Sequence, residues 1–496
     1  MAETPSDLPD ASVNRWFAML RFNTVLAGTR TPSVRGWGAG GVGRTVCRMP
    51  RTAQKVLILG GGYAGLYAAR TLQRERELPL SITVVDPNPY MTYQPLLPEV
   101  AGGHVDPVDV AVTLRPSLRR CRVIRGSVTG LDSAAKRATV EVVDGSSVEL
   151  AYDEAILAMG AVTRVFPTPG LEELGIGFKT VEEAVYAHNH VLEQLSIAAN
   201  TQDEDERRRA LTFFFVGGGY TGVEALSELS NLTRLAVKEY PQLDPATIRW
   251  ILVEALDRVA PEVGPELSGW TLQHLRDRGV DVRLETTVKS CEGGEVVLST
   301  GESIATNTLI WTAGVQPNPV LDRLDVPRGP KGHVMAEATL HVVREDGTWV
   351  DGLWAVGDIA QVPDLTAEKQ PAYYPPNAQN AMRQGPVAAR NILAALRGQA
   401  PEEYRHPSLG TVASYGIATG AANIKGIQLK GLPAWLAHRG YHALVLPTLR
   451  RKVRVVMGWV TELLTGTDAT PLRAIQHPHT SFRASFAALK QKGEKG

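Results

Sequence analysis

Gly60, Gly62 and Gly65 form a G-x-G-x-x-G run directly after the apolar stretch Val56-Leu57-Ile58-Leu59, and Asp86 closes the next apolar stretch. In a strand–turn–helix unit each of these residue types has a mechanical task. Gly60 permits the tight turn, Gly62 lets the backbone approach a diphosphate, and Gly65 lets helix and strand pack closely. The helix N-terminus then faces the phosphates, and Asp86 accepts hydrogen bonds from a ribose diol. The same arrangement returns at Gly217, Gly219 and Gly222, with Glu254 as the acid. A carboxylate there repels a 2′-phosphate and receives a free 2′-hydroxyl, so NADH is expected over NADPH, with Arg258 nearby tempering that preference. A lone fingerprint competes with an ordinary glycine turn, but two, each with its acid in place, predict two dinucleotides. Chemistry between them requires one that stays while the other exchanges, which makes the resident one a flavin, FAD. Asp358 follows the apolar run Leu353-Trp354-Ala355-Val356. Alone it would read as a cap or loop acid; beside the first fingerprint it reads as a carboxylate accepting from the ribityl hydroxyls of the flavin.

Two Rossmann-type folds are needed to position these residues. The first opens at Lys55, with a helix predicted over Ala64 to Arg76 and a strand over Ile82 to Val85. The second follows the charged stretch Asp203 to Arg209, with strands at Leu211 to Val216 and Trp250 to Val253 around a helix from Val223 to Val237. Val140 to Val143 and Val148 to Leu150 flank Asp144-Gly145 as a hairpin, and Val296 to Leu298 turns at Thr300-Gly301 toward Ile304 as another. The run at Leu353 and a helix from Asn377 to Leu396 read as the chain returning to its first domain. The expected class is α/β, two Rossmann-type dinucleotide-binding domains with the second inserted in the first, plus a C-terminal amphipathic helical membrane-association region. The boundaries are 1–53 for an extension, 54–165 and 331–400 for the FAD-binding domain, 166–330 for the NADH-binding domain, 401–468 for the membrane-association region and 469–496 for a mobile tail.

A chain of 496 residues with 44% hydrophobic residues has enough apolar surface for about three domains. Its 52 basic and 52 acidic residues balance, so no global charge recruits nucleic acid. Cys47, Cys121 and Cys291 form neither a disulfide framework nor zinc-ligand spacing, so no metal site is expected and a reducing compartment fits. No apolar run reaches the length of a spanning helix. Ala11 to Lys55 carries seven arginines and no acid, a composition that suits an organellar transit segment or a disordered extension, with Met49 a second candidate start. Between Tyr404 and Thr461 there is again no acid. Arg405, Lys425, Lys430, Arg439, Arg450, Arg451, Lys452 and Arg454 alternate there with apolar residues such as Trp435, Leu436, Leu449, Val453, Val456 and Trp459. Such a segment suits a helix lying in the plane of an anionic lipid surface. The alternative is a surface helix packed on the core or in a homodimer interface.

With these motifs in view the chain resembles the type II NADH dehydrogenases, single-subunit, non-pumping NADH:quinone oxidoreductases of the flavoprotein superfamily with two dinucleotide folds. The resemblance spans Gln54 to Asp468. Its markers are Gly60 to Gly65, Tyr93-Gln94-Pro95-Leu96-Leu97-Pro98, Gly217 to Glu224, Thr312-Ala313-Gly314, Trp354 to Asp358, and Pro375 to Gln384. The first and fifth belong to the wider superfamily; the last is the specific one. The resemblance implies that NADH delivers hydride to FAD and that a membrane quinone is then reduced, with Gln379 and Gln384 in the segment bordering the quinone. Here Arg383 holds the helical position aligned with Gln379, and Gln384 is rotated about 140° from it, so Gln379 is the better supported of the two. A solvated helix face remains the plain alternative for both. Glu224 is implied to lie near the nicotinamide and the flavin edge as a positioning or proton-handling residue; its plain alternative is an acid at a helix N-terminus. The resemblance also places the protein peripherally on the cytoplasmic face of a bacterial plasma membrane, or on the mitochondrial inner membrane if the extension is a transit peptide. The competing readings are a soluble NAD(P)H diaphorase or ferredoxin-type reductase and a non-catalytic flavin redox sensor. A sulfide-oxidising relative would need paired cysteines that the sequence does not place beside a flavin.

Overall fold

Continuous apolar runs build the parallel cores of two sheets, one mixed and one wholly parallel, in the computed structural model, which describes residues 53–472. The arginine-rich extension, Met49 and the tail beyond residue 472 lie outside the described residues. Strand β1 (Gln54–Leu59) leads through the first glycine turn into helix α1 (Tyr63–Leu72) and then β2 (Leu80–Asp86). After the short helix α2 (Leu97–Ala101) come β3 (Arg122–Asp132), β4 (Arg137–Val142), β5 (Ser147–Ala151) and β6 (Glu154–Leu157). The second sheet is made from β7 (Gly175–Ile176), β8 (Thr212–Val216), β9 (Arg249–Val253), β10 (Val280–Arg283) and β11 (Thr308–Trp311), with helices α3 (Val181–Asn200) and α4 (Tyr220–Ala236) between its first three strands. The chain then returns with β12 (His341–Val343), β13 (Trp349–Ala355) and α5 (Ala378–Leu396).

The eight-stranded sheet has the order β12-β13-β6-β1-β2-β3-β4-β5, and the five-stranded sheet the order β7-β11-β8-β9-β10. β13 pairs in parallel with β6, with Trp354 opposite Ile156, so strands on either side of the second sheet in sequence are neighbours in the first. Both sides of β8 are covered, and all five of its residues are buried, which explains why Phe213-Phe214-Phe215 shows no polar alternation. The first hairpin closes with Val140 opposite Val148, and the second pairs Val296 with Ile304. α4 begins at Tyr220, three residues earlier than expected, because Gly219 already serves as N-cap; α1 begins at Tyr63, directly after Gly62, but ends at Leu72, four residues short of the expected Arg76.

Beyond α5 the antiparallel strands β14 (Thr411–Ser414), β15 (Gly420–Ile424) and β16 (Ile427–Lys430) precede α6 (Leu432–Val445) and α7 (Leu449–Thr465). Among the described residues no helix is long and apolar enough to cross a membrane. Most of the basic residues that the sequence offers to an anionic lipid surface have acidic partners within the protein. Arg405 pairs with Glu403, Lys430 with Glu266, Arg439 with Glu99 and Glu462, and Arg451 and Arg454 with Asp109. Most of those acids lie far away in sequence, so a window over the segment alone could not reveal the pairing. Trp435, Val455 and Trp459 face inward, with the Arg439 guanidinium between the two indoles at 4.3 and 4.9 Å from their centroids. Leu449, Val453, Val456, Met457, Val460 and Leu463 stay exposed along the opposite face of α7.

Candidate functional site

The first glycine turn is built by exclusion of side chains. Gly60 has φ +109°, and a Cβ there would lie 2.2 Å from the Ala158 carbonyl oxygen on the neighbouring strand end. A Cβ on Gly65 would lie 1.8 Å from the Gly60 carbonyl, so α1 can approach the turn only with glycine at that position. At Gly62 the space is different: a Cβ would meet nothing within 4 Å. That is the open side, at the N-terminus of α1, where a diphosphate would approach the backbone. Asp86, at the end of β2, accepts from the Gly61 N–H at 2.6 Å through Oδ2 and from the Asn88 N–H at 2.7 Å through Oδ1. Residue type alone does not signal this clamp, because both donors are backbone N–H groups. Burial raises the Asp86 pKa, opposed by those two N–H groups, and each oxygen keeps a lone pair for a further donor.

The second turn repeats the first. Gly217 has φ +104°, and a Cβ on Gly222 would lie 1.9 Å from the Gly217 carbonyl and 2.7 Å from Thr312 Oγ1. Around Gly219 the nearest atom to an added Cβ is Glu262 Oε1 at 3.5 Å, so this side too is open. Glu254 Oε2 accepts from the Gly218 N–H at 2.6 Å and Oε1 from the Leu256 N–H at 2.8 Å. Thr312, from the Thr-Ala-Gly marker, donates to the carbonyls of Val216 and Gly217 at 2.9 Å each and ties β11 to the turn. Arg258 is held by its neighbour Asp257 through Nε at 2.8 Å and Nη2 at 2.7 Å.

Asp358 lies just past β13 with its Oδ1 buried and without a hydrogen-bond partner among the described residues. Burial raises its pKa, and the nearby cations Lys179 and His333 oppose that rise. An orphaned carboxylate oxygen beside an open glycine turn suits a polyhydroxyl chain such as the ribityl group of FAD. Lys179 was missed in the sequence, where nothing ties it to Asp358. Gln384 is buried at 2% exposure, and its Oε1 accepts from the Gly357 N–H at 2.7 Å. It therefore supports the turn that presents Asp358, on the other side of α5 from Gln379. Gln379 is half-buried, accepting through Oε1 from His406 Nε2 at 3.1 Å and the Leu409 N–H at 3.3 Å, and donating to the Gly410 carbonyl at 3.4 Å. Its visible work is to pin residues 406–410 to the start of α5.

Glu224, two residues past Gly222, is buried and accepts from the Ser414 N–H of β14 at 2.8 Å. Burial drives its pKa well above the carboxylate range against that hydrogen bond, and Glu228 and Glu99 add to the rise. His438 Nε2 lies 3.6 Å from Glu224, and burial holds this imidazole well below its ordinary pKa. The His438 and His442 rings are 4.4 Å apart, and His442 Nδ1 shares a 2.8 Å hydrogen bond with the Tyr93 hydroxyl. The Tyr93 ring lies 5.9 Å from that of Tyr63, the residue after Gly62. A buried chain of side chains thus connects one glycine turn to the other through α6. Tyr93 was legible only as part of a family marker. His438 and His442 gave no sign beyond their helical spacing.

The model of the family described as pyridine nucleotide-disulphide oxidoreductase matches residues 54–385. A type II NADH:quinone oxidoreductase of Mycobacterium tuberculosis, NdhA, is 28% identical over 434 residues, covering 82% of this chain and 86% of the relative. A type II NADH:quinone oxidoreductase of Staphylococcus epidermidis is 27% identical, covering 78% of this chain and 93% of its own length. The solved structure of NDH2 from Plasmodium falciparum in complex with NADH superposes with a TM-score of 0.77 at 17% identity, covering 84% of this chain and 99% of that one. That last likeness establishes the fold.

Proposed function

The chain belongs to the pyridine nucleotide-disulphide oxidoreductase family, and on that basis we propose that it is a type II NADH:quinone oxidoreductase that uses FAD and does not pump protons. The observation that carries this reading is the duplicated turn: two open glycine cradles of the same geometry, each clamped by its own acid, on two separate sheets. FAD, when bound, accepts a hydride from NADH and passes two electrons on to a quinone. Gly60, Gly62 and Gly65 cradle its diphosphate, Asp86 keeps the turn closed and meets the ribose, and Asp358 receives the ribityl hydroxyls, with Gln384 holding the backbone beneath Asp358. Gly217, Gly219 and Gly222 do the same for NADH. Glu254 faces its ribose, and because Arg258 is neutralised by Asp257, NADH is favoured over the 2′-phosphorylated form.

Glu224, whose charged form burial disfavours, positions the nicotinamide side and offers a place for a proton between the two nucleotides. Gln379 and residues 406–410 border the quinone, which reaches them from the membrane. The strand order supports reading the NADH-binding fold as an insertion between β6 and β12, with the segment from 401 to 468 as the membrane-association region. The protein then sits peripherally on the cytoplasmic face of the plasma membrane, with the exposed apolar side of α7 against lipid; a homodimer closing over that side is the competing use. A soluble diaphorase would leave that face without a partner.

The test is steady-state turnover of the FAD-loaded protein with NADH and a water-soluble quinone, following NADH and quinol together. One quinol per NADH supports the assignment. NADH loss with hydrogen peroxide in place of quinol, or equal rates with and without quinone, sinks it.

A further inference from the structure

A cleft of about 710 Å³ opens between the C-terminal end of α1, the side chains of Thr113, Pro116, Ser117, Arg119 and Arg120, and those of Thr448, Arg450 and Arg451 at the start of α7; Arg115 and Lys452 do not line it. α1 has ten residues, so the cleft lies roughly 15 Å along that helix from the glycine turn, outside the nucleotide site. Among the described residues, seven arginines line it and no acid does. Three are tethered: Arg70 to the Pro447 carbonyl at 2.9 Å, Arg120 to the Gln73 carbonyl at 2.6 Å, and Arg451 to Asp109 at 3.0 Å. Arg74, Arg76, Arg119 and Arg450 are exposed, and their side chains make no hydrogen bond or ion pair among the described residues. Glu75, the acid between Arg74 and Arg76, is turned away to Arg397 at 2.7 Å. The N-terminus of α7, capped by Thr448, adds its own positive end to the cleft.

Concentrated, unpaired guanidinium groups with hydrogen-bonding room between them suit a phosphate. What lies next to them selects the kind of phosphate. Leu449, between the cleft residues Thr448 and Arg450, is 75% exposed, and it opens the apolar stripe of Val453, Val456, Met457, Val460 and Leu463. Leu449, Val453, Val456, Val460 and Leu463 follow at spacings of four, three, four and three, with Met457 four beyond Val453, so all lie on one side of α7, and Arg450 flanks that side. A ligand with an anionic phosphate head and long apolar chains satisfies both features at once.

We propose that this cleft binds the headgroup of an anionic phospholipid, whose acyl chains continue along the exposed face of α7. The proposal rests on the reading of the protein as membrane-associated and adds to it a defined lipid site. It also relocates the source of charge: Arg74, Arg76 and Arg119 come from the first domain, while much of the C-terminal segment's own charge is paired internally.

The test uses the full-length, FAD-loaded protein with vesicles of phosphatidylcholine alone or of phosphatidylcholine mixed with phosphatidylglycerol. The variant is Arg74→Gln/Arg119→Gln/Arg450→Gln, and an equal-charge control outside the cleft is Arg115→Gln/Lys425→Gln/Lys452→Gln. The wild type should prefer the anionic vesicles, and the cleft variant should bind them about a hundredfold more weakly, roughly fivefold per arginine. The control should lose much less, and turnover with a small artificial acceptor should stay unchanged in both. Equal weakening by both variants would reduce the cleft to diffuse surface attraction and overturn the proposal. So would inorganic phosphate displacing the protein from anionic vesicles, which would mark a soluble-anion site. Wild type that sediments with neither vesicle removes the membrane reading itself. Wild type that binds both vesicles alike, with the cleft variant unchanged, removes the lipid site alone.

Discussion

Asp358→Asn should move two quantities in opposite directions. Without flavin, Asp358 presents a buried oxygen with no hydrogen-bond partner among the described residues, and Lys179 foremost offsets its charge. Leaving a buried polar group unsatisfied costs about 1–3 kcal/mol, and because Lys179 offsets part of the charge, the lower end applies. Replacing the carboxylate with a neutral amide should therefore raise the melting temperature of the apoprotein by a few degrees. FAD binding should suffer, because hydrogen bonds to a charged acceptor contribute about 1.5–3 kcal/mol, which corresponds to an affinity drop of about 10- to 100-fold. The pH dependence follows the same logic. Burial raises the Asp358 pKa above its unfolded value, so between those two values the native apoprotein holds more protons than the unfolded chain and its stability falls as pH rises. The variant should lack that slope. Thermal melts of apo and FAD-loaded protein, with fluorescence titration of FAD, measure all three. An apoprotein destabilised by the substitution, with FAD affinity unchanged, would refute the reasoning and return Asp358 to a purely structural role.

Gly222→Ala places a Cβ 1.9 Å from the Gly217 carbonyl and pushes α4 off its turn; the protein should keep its flavin, bleach with dithionite, and lose about a hundredfold in kcat/KM for NADH. Gln379→Ala frees residues 406–410 and should slow quinone reduction about tenfold, one lost hydrogen bond, while a small artificial acceptor is reduced at the normal rate; equal loss with both takes Gln379 out of the quinone site. For His104, burial opposes the charge, but Glu228 and Glu462 outweigh it and hold the pKa up to about 10. The resulting stabilisation is complete below the ordinary value of 6.5 and is lost as pH rises toward about 10. His104→Gln should flatten the urea midpoint across that window, and an unchanged decline would place its origin elsewhere.

Most of the fold was legible because its signals are local. A strand, three glycines and a following acid sit within one short window, and the physics of each glycine requires no knowledge of the rest of the chain. The same holds for both hairpins and for the apolar run before Asp358. The parts that escaped depend on partners distant in sequence. Lys179 meets Asp358, His438 meets Glu224, and Asp109 neutralises Arg451 and Arg454, each across well over a hundred residues. The glutamine-rich start of α5 shows both cases. Helical geometry separated Gln379 from Gln384 correctly in angle, but only the fold reveals that Gln384 faces the Gly357 backbone. The cationic C-terminal segment was legible only in part for the same reason, since acids for Arg439 and Arg451 come from α2, from the residues before β3 and from Glu462.

Direct hydride transfer requires the two cradles to hold FAD and NADH next to each other. Stopped-flow absorbance of the FAD-loaded protein mixed anaerobically with NADH tests it most directly. The flavin band should bleach within milliseconds to seconds and recover when quinone is added. A protein that takes up no FAD, or a flavin that bleaches far more slowly than NADH is consumed in steady state, would contradict it.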